Sequence, residues 1–224
     1  MLRTQLVQLI KEIQYYTPFR RYLFPRYSYN FTAPQLCFLC QCIEDTKSVQ
    51  GHLAEVGCAN GSTTVFLNNY LDAQEIQKKY YAIDTFSGFV DEDIDYEVTK
   101  RGKKKNLYKG SFANNNKKWF DIAMKHNNIH RVMAIQADVN KYNLLKLEPL
   151  SFVLLDVDLY RPTIKALREL YKILNPDGII IVDDCNANNI RWDGSDQAYK
   201  EFMKEINQPI QVMHGKLGII RKPA

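Results

Sequence analysis

A strand–helix–strand pattern over residues 151–185 constrains the fold more than any other part of the chain. A short apolar run, Phe152–Leu155, predicts a strand buried on both faces of a parallel sheet. Pro162 suits the first turn of a helix, and apolar residues then recur at helical spacing. A turn-forming run at 175–178 precedes a second apolar run at 179–182. The pattern predicts two parallel, adjacent strands connected by a helix.

Acidic residues follow both of these strands. Asp156 follows the first strand, Asp183 and Asp184 follow the second, and Asp158 lies two residues beyond Asp156. Because adjacent parallel strands end at the same edge of a sheet, where open α/β sheets bind ligands, we expect these carboxylates to meet there. The alternative is that each Asp caps a helix or lies in a solvated loop. Acids that end two adjacent strands favour a hard divalent cation such as Mg²⁺.

Length and composition are those of one α/β domain. The chain has 224 residues, of which 46% are hydrophobic, enough for a full core. No apolar run approaches the roughly 20 residues that span a bilayer. Charges interrupt the apolar pattern of the N-terminus, and five cysteines suggest reduced thiols, so we expect a cytoplasmic protein. A net charge of +5 does not demand nucleic acid.

We expect a single domain over residues 1–224, in which an N-terminal helical and aromatic segment, 1–48, precedes a catalytic α/β core, 49–224. Residues 1–16 have the apolar spacing of an amphipathic helix. Residues 19–31 are rich in aromatic side chains and arginines, which favours packing against the domain or a lid over a small ligand. Nucleic-acid binding is the alternative interpretation of that segment.

A strand at 52–57 leads into a glycine turn and a helix. The turn, EVGCANGST, contains Gly57 and Gly61, and the helix starts near Ser62. Glycines let the backbone turn sharply and approach a ligand closely. The spacing differs from the G-x-G-x-x-G of dinucleotide sites, which favours a nucleoside without phosphate, such as S-adenosylmethionine. Glycine-rich strand–helix turns are common, so this motif alone is not specific.

Two further strands, 80–84 and 132–137, also end at acids. An acid at the tip of the second strand commonly holds ribose hydroxyls, so we assign Asp84 to the cofactor. Asp138 follows the third strand and could contact the adenosine, although a turn residue is an equal alternative for it.

The segment from 85 to 118 is the least regular by sequence. It contains an acidic block, DEDIDYE, and a basic block, KRGKKK. A long irregular insertion in a compact domain is usually disordered or a functional lid, and we interpret the two charge blocks as solvated faces. Together with a C-terminal antiparallel hairpin near 210–220, the buried strands predict a three-layer, mostly parallel α/β fold.

The chain resembles the macrocin-type sugar O-methyltransferases over roughly residues 51–221. The resemblance depends on EVGCANGST together with IDTFSGF at 83–89, LDVDLYRPT at 155–163 and VDDC at 182–185. It implies the seven-stranded, Rossmann-like class I methyltransferase fold, S-adenosylmethionine and Mg²⁺ as cofactors, and a sugar-containing acceptor as partner. Val157 and Cys185 depart from the family's pattern, in which a small residue and an aromatic residue are frequent.

The resemblance also implies roles for individual residues. Glu55, Gly57 and Gly61 would lie against the methionine end of the cofactor, with Ser62 beside them at the helix start. Asp84 would hold the ribose. The metal would be held by Asp156, Asp183 and Asp184, and Asp158 would act as the general base.

Three other functions stay open. A catechol-like methyltransferase would use the same metal site, because any vicinal diol can chelate the cation. An RNA-binding or RNA-modifying protein would use the basic and aromatic segments. A cofactor-binding protein without activity is the third, although the intact set of acids argues against it. A homo-oligomer is compatible with all of these functions.

Overall fold

The computed structural model describes residues 2–18, 29–108, 110–186 and 188–224. The chain divides into two compact units, residues 1–32 and residues 33–224. The first unit contains helix α1, Leu2–Tyr15, close to the predicted N-terminal helix. Most of the predicted aromatic and arginine-rich segment, residues 19–28, lies outside the described residues. Among the described helices, none is long and apolar enough to span a membrane.

The second unit contains six helices and seven strands among its described residues. In chain order they are α2 (Ala33–Asp45), β1 (His52–Val56), α3 (Ser62–Ala73), β2 (Tyr80–Asp84), α4 (Asp91–Arg101), α5 (Lys117–His126), β3 (Val132–Gln136), β4 (Leu150–Leu155), α6 (Tyr160–Ile173), β5 (Leu174–Val182), α7 (Asp193–Glu205), β6 (Val212–Met213) and β7 (Leu217–Arg221). Helix α2 belongs to this unit, whereas sequence analysis grouped it with the N-terminal segment.

The strands form one sheet in the order β3-β2-β1-β4-β5-β7-β6. The first five are parallel, and β7 and β6 add the antiparallel hairpin. The predicted fold class is therefore confirmed. The chain crosses over after β3 to pair β4 with β1, so the sheet order reverses beside the carboxyl end of β1, which is where open α/β sheets bind ligands.

Helices pack on both faces of the sheet and complete three layers. Ile164, Leu167 and Leu170 of α6 are buried with the side chains that β4 and β5 direct to the same face. On the opposite face, Phe120 and Met124 of α5 cover β2. All six residues of β4 are buried, as the continuous apolar run predicts.

The strand that follows α6 differs from its prediction. Residues 175–178, predicted as a turn, belong to β5, which begins immediately after the helix. The register passes from Leu150↔Leu174 to Phe152↔Ile179, so five steps on β5 face two steps on β4. The extra residues bulge out of the ladder, and Asp177 adopts a left-handed φ of 62° there. A bulge absorbs the turn-forming residues without ending the strand.

The prediction of an irregular 85–118 segment is wrong over its middle part. Residues 91–101 form helix α4, with three acids in its first turn and Lys100 and Arg101 in its last turn. Gly102 ends the helix in the left-handed conformation, with φ 68°. This order of charges complements the helix dipole. The acidic block followed by the basic block therefore indicates a helix rather than a solvated insertion.

Several members of these charge blocks are also buried, which contradicts their interpretation as solvated faces. Asp93 and Glu97 are 4% and 1% exposed. Glu97 accepts a hydrogen bond from Arg101 at 2.5 Å, and Arg101 also pairs with Asp193 at 3.0 Å. Lys103 reaches Asp193 as well, at 2.5 Å. Paired inside the protein, these charges connect α4 to the start of α7.

Candidate active site at the carboxyl edge

The glycine turn after β1 lies directly against the end of β4. Gly57 has a left-handed φ of 91°, and a Cβ there would overlap the carbonyl oxygen of Asp156. The Asp156 N–H in turn donates to the Val56 carbonyl at 2.8 Å. Only glycine lets the two backbone segments come this close. Gly57 therefore allows the glycine turn to lie directly beside Asp156.

Gly61 also has a left-handed φ, 85°, and it precedes the first turn of α3. A Cβ at Gly61 would lie 2.8 Å from the Met124 side chain and 2.9 Å from the Phe120 ring. The space beside Gly61 is therefore filled by α5. Ser62 is exposed at the start of α3, and its N–H and hydroxyl both donate to the Asn60 side chain.

Asp84 lies at the end of β2 and holds the glycine turn in shape. Its Oδ2 accepts the Ala59 N–H at 2.8 Å, and its Oδ1 accepts the Phe86 N–H at 2.7 Å. The Oδ1 atom also accepts the Thr85 hydroxyl at 3.5 Å, whereas Oδ2 keeps a further lone pair. The residue predicted to hold ribose thus lies beside the predicted cofactor turn.

Glu55 is buried within β1 rather than open to the edge. Its Oε2 accepts hydrogen bonds from the Thr64 hydroxyl at 2.5 Å and the Tyr80 hydroxyl at 2.9 Å. Burial raises the pKa of Glu55 to about 7, and the two hydroxyl donors oppose that shift. The observed contacts of Glu55 therefore connect β1 to α3 and β2, and its contact with a cofactor stays a prediction.

Asp138 follows β3, the neighbour of β2 in the sheet, and belongs to a second polar group. Its Oδ1 accepts the Asn140 N–H at 2.9 Å, and the Asn140 side chain donates to Asp93 at 2.8 Å. Asp93 also pairs with Arg161 at 3.2 Å. Burial raises the pKa of Asp93 to about 6, although Arg161 lowers it. Sequence analysis missed Asp93 because its acidic block was interpreted as solvated.

Three of the strand-end acids come together. Asp156, Asp158 and Asp184 each place one carboxylate oxygen within 4.8 Å of the other two. Asp158 and Asp184 have left-handed φ values of 62° and 58°, which turn the chain back at this edge. Burial, and then repulsion from the neighbouring acids, raises the pKa of Asp156 and Asp158 well above the usual range. Asp158, predicted as the general base, thus lies with two predicted metal ligands.

The fourth acid, Asp183, has a different environment. Its Oδ2 accepts a hydrogen bond from the Lys216 ammonium at 2.6 Å. Its Oδ1 is buried and has no hydrogen-bond partner among the described residues. Burial raises the pKa of Asp183 to about 6, and Lys216 opposes the shift.

Lys216 is a second residue that sequence analysis missed. It lies in the turn between β6 and β7. The register Val182↔Gly218 places this turn at the edge where Asp183 and Asp184 lie. The predicted C-terminal hairpin could have indicated this position of Lys216. The turn of an antiparallel pair that is added next to β5 lies beside the end of β5.

The donor set at this edge suits a hard divalent cation. All of the converging ligand atoms are carboxylate oxygens, the kind of donor that Mg²⁺ prefers. Asp183 Oδ1 is a further buried acceptor, and none of the residues that the structure describes donates to it. A bound cation would relieve the repulsion among the converging acids.

Cys185, one of the two departures from the resembled family, packs under the hairpin. It is buried, and a Cβ on Gly218 would lie 2.6 Å from its Sγ. An aromatic side chain at position 185 has no room in this arrangement.

A family model and several solved structures are similar to this chain. The family model described as macrocin-O-methyltransferase (TylF) matches residues 24–222. No curated protein sequence matches the chain at a significant level.

Similar solved structures include the O-methyltransferase NovP, with a TM-score of 0.70, 18% identity, and coverage of 84% of this chain and 79% of NovP. The calicheamicin methyltransferase CalS11 has a TM-score of 0.68 and 18% identity, over 97% of this chain and 91% of that protein. SMU.1697c from Streptococcus mutans, solved in complex with SAH, has a TM-score of 0.50 and 17% identity, over 80% of this chain and 94% of that protein. At these identities the likeness establishes the shared fold.

Proposed function

The chain belongs to the macrocin-O-methyltransferase (TylF) family, and we propose that it transfers the methyl group of S-adenosylmethionine to a hydroxyl group of a sugar-containing acceptor in a Mg²⁺-dependent reaction. One observation carries this proposal. The glycine turn after β1 and the acids after β4 and β5 share one edge, where Gly57 contacts Asp156 directly. A methyl donor in the turn and an acceptor hydroxyl at the acids would therefore be neighbours.

For the cofactor, we propose that Gly57, Gly61 and Ser62 lie along its methionine side and that Asp84 accepts the ribose hydroxyls. The lone pair that Asp84 Oδ2 retains beyond the hydrogen bond it accepts from the Ala59 N–H supports this role. We propose that Asp138 contacts the adenosine end of the cofactor and that Glu55 lies at its methionine end. The hydrogen bonds of Glu55 in the structure are with Thr64 and Tyr80.

For the cation, we propose the acids Asp156, Asp183 and Asp184, with Asp158 adjacent to them. When bound, Mg²⁺ supplies Lewis-acid polarisation of the acceptor hydroxyl. The protein holds the acceptor oxygen near the methyl donor, so orientation supplies part of the rate. Asp158 would accept the hydroxyl proton, and its place in the acidic cluster supports this role.

The sugar acceptor is proposed from the family and from named relatives. CalS11 is also described as a TDP-rhamnose 3'-O-methyltransferase. A nucleotide sugar or a glycosylated small molecule is the corresponding acceptor class for this chain. A catechol-like acceptor is the second candidate, since the same acids would serve any vicinal diol.

The test is methyl transfer from labelled S-adenosylmethionine to a panel of acceptors, with Mg²⁺ or with EDTA. The panel contains free sugars, nucleotide sugars, glycosylated small molecules, catechols and RNA. We expect transfer to a sugar hydroxyl that EDTA abolishes and Mg²⁺ restores. Transfer to catechols alone would support the second candidate. Transfer to RNA alone, or equal rates in EDTA, would contradict the proposal.

A further inference from the structure

Lys216 places an ammonium group among the strand-end acids. Its Nζ lies 2.6 Å from Asp183 Oδ2 and 3.7 Å from Asp184 Oδ1. The Lys216 side chain is largely buried, at 23% exposed, and the side chains of both partners are below 10%. An ion pair that is shielded from water to this degree is little screened by salt.

The backbone around Lys216 is held in place from two sides. The Lys216 carbonyl accepts the Cys185 N–H at 2.8 Å, directly after the acidic pair. On the other side, the His214 carbonyl accepts a hydrogen bond from Gln35 of α2 at 3.1 Å, and the His214 ring packs on Phe38. The turn between β6 and β7 therefore fixes the position of the Lys216 ammonium group beside the acids.

A single lysine can neutralise only part of this edge. Three carboxylates converge there with Asp183 next to them, and of the two acidic contacts of Lys216 the one to Asp183 is the closer. Asp156 and Asp184 of the converging cluster are also proposed ligands of the divalent cation, together with Asp183. A cation at that cluster and the Lys216 ammonium carry the same sign of charge, and both are attracted to Asp183 and Asp184.

We propose that Lys216 is a built-in counter-cation of the acidic edge: it neutralises Asp183 while no divalent cation is bound, and it weakens the binding of one. The inference relies on the proposed cation site and adds a residue to it. Lys216 acts through Asp183 and Asp184, so it is a positioning residue. It keeps the acids together in the metal-free protein and limits how tightly the cation is held.

The test measures Mn²⁺ binding by electron paramagnetic resonance, with Mn²⁺ standing in for Mg²⁺. Lys216→Met removes the charge and keeps the apolar stem. We expect it to bind Mn²⁺ about fivefold more tightly or better, since two positive charges a few ångströms apart repel each other strongly in a shielded site. Lys216→Arg should bind like the wild type. Asp183→Asn should bind more weakly, because the ammonium would then face Asp184 without its own partner.

Lys222→Met is the matched control. Lys222 follows β7, and its Nζ donates to the Tyr171 and Leu174 carbonyls rather than to acids. The control should leave Mn²⁺ affinity unchanged. Should Lys216→Met fold poorly, Lys216→Gln provides the same test with a neutral hydrogen-bond donor.

Thermal melting provides an independent readout. Without a divalent cation, Lys216→Met should melt lower than the wild type, because it leaves the buried Asp183 unpaired. Mg²⁺ should then raise its melting temperature by more than it raises that of the wild type. Lys216→Met and Lys216→Gln binding Mn²⁺ no more tightly than the wild type would overturn the inference. Equal methyl transfer in EDTA and in Mg²⁺ would instead contradict the proposed cation dependence, independently of the result for Lys216.

Discussion

At the scale of single residues, Asp158 has two candidate roles, as the general base and as a ligand of the cation. The sequence predicts a general base, and the geometry places its carboxylate within 4.8 Å of the Asp156 and Asp184 oxygens. Its left-handed φ of 62° is one that asparagine tolerates well, so Asp158→Asn changes the charge with little strain on the backbone.

We expect Asp158→Asn to lower turnover by roughly 10²–10⁴-fold, the usual contribution of general acid–base catalysis. The affinity for S-adenosylhomocysteine, measured by calorimetry, should stay unchanged. Excess Mg²⁺ separates the two roles, because it would restore turnover if Asp158 were mainly a ligand and would not if Asp158 is the base. Asp177→Asn, at an exposed position with the same φ, is the control and should be fully active.

Gly61 shows how one residue type can serve a purpose other than the expected one. Its positive φ fits the predicted sharp turn, but the space beside it is filled by Phe120 and Met124. A branched side chain at position 61 would push against α5 before it met a ligand. Loss of cofactor binding in a Gly61 variant would therefore report on packing as well as on cofactor contact.

At the scale of elements, helix α4 depends on one buried acid. Glu97 Oε1 accepts the Tyr160 N–H at 2.8 Å, at the start of α6, and Glu97 Oε2 accepts from Arg101. Arg101 continues the network to Asp193 at the start of α7. One carboxylate thus connects α4 to the two helices that flank the strand-end acids.

We expect Glu97→Ala to lower the free energy of unfolding by on the order of 3 kcal/mol, because it leaves Arg101 underpaired and the Tyr160 N–H unsatisfied. Asp95→Ala is the matched control on the same helix, since Asp95 and its partner Lys105 are 62% and 70% exposed. That change should cost less than about 1 kcal/mol. Urea unfolding measures both variants, and equal costs would contradict the structural role of Glu97.

At the scale of the whole molecule, buried acids make stability depend on pH. Burial raises the pKa of Glu55 to about 7 and that of Asp183 to about 6. Such an acid holds its proton more tightly in the folded than in the unfolded chain. Its favourable contribution is complete below the unfolded pKa, roughly 4, and is lost as the pH rises through 6 and 7.

We therefore expect the melting temperature of the metal-free protein to fall between about pH 5 and about pH 8. Glu55→Gln should flatten part of that fall, because it removes one titrating group while keeping an oxygen acceptor for Thr64 and Tyr80. Glu92→Gln, at an exposed position of α4, should leave the profile unchanged. A melting temperature that rises over this range would contradict the expectation.

The sequence by itself determined the sheet and the place of its acidic edge. Apolar runs such as Phe152–Leu155 mark buried parallel strands, and right-handed crossovers make successive strands of this kind neighbours. Asp84, Asp156 and Asp183 follow their strands at one edge for that reason. These features are local in the chain, so they can be read from short runs of residues.

The tertiary structure alone decided which charges pair. Lys216 lies 33 residues from Asp183 along the chain, and Arg101 lies 92 residues from Asp193. The predicted hairpin puts Lys216 near the end of β5, but no local pattern shows that these charges are buried and paired. Their burial depends on how the hairpin and α4 fold back on the sheet. Side-chain packing between distant elements therefore set the electrostatics of the site, while the strand endings had already set its position.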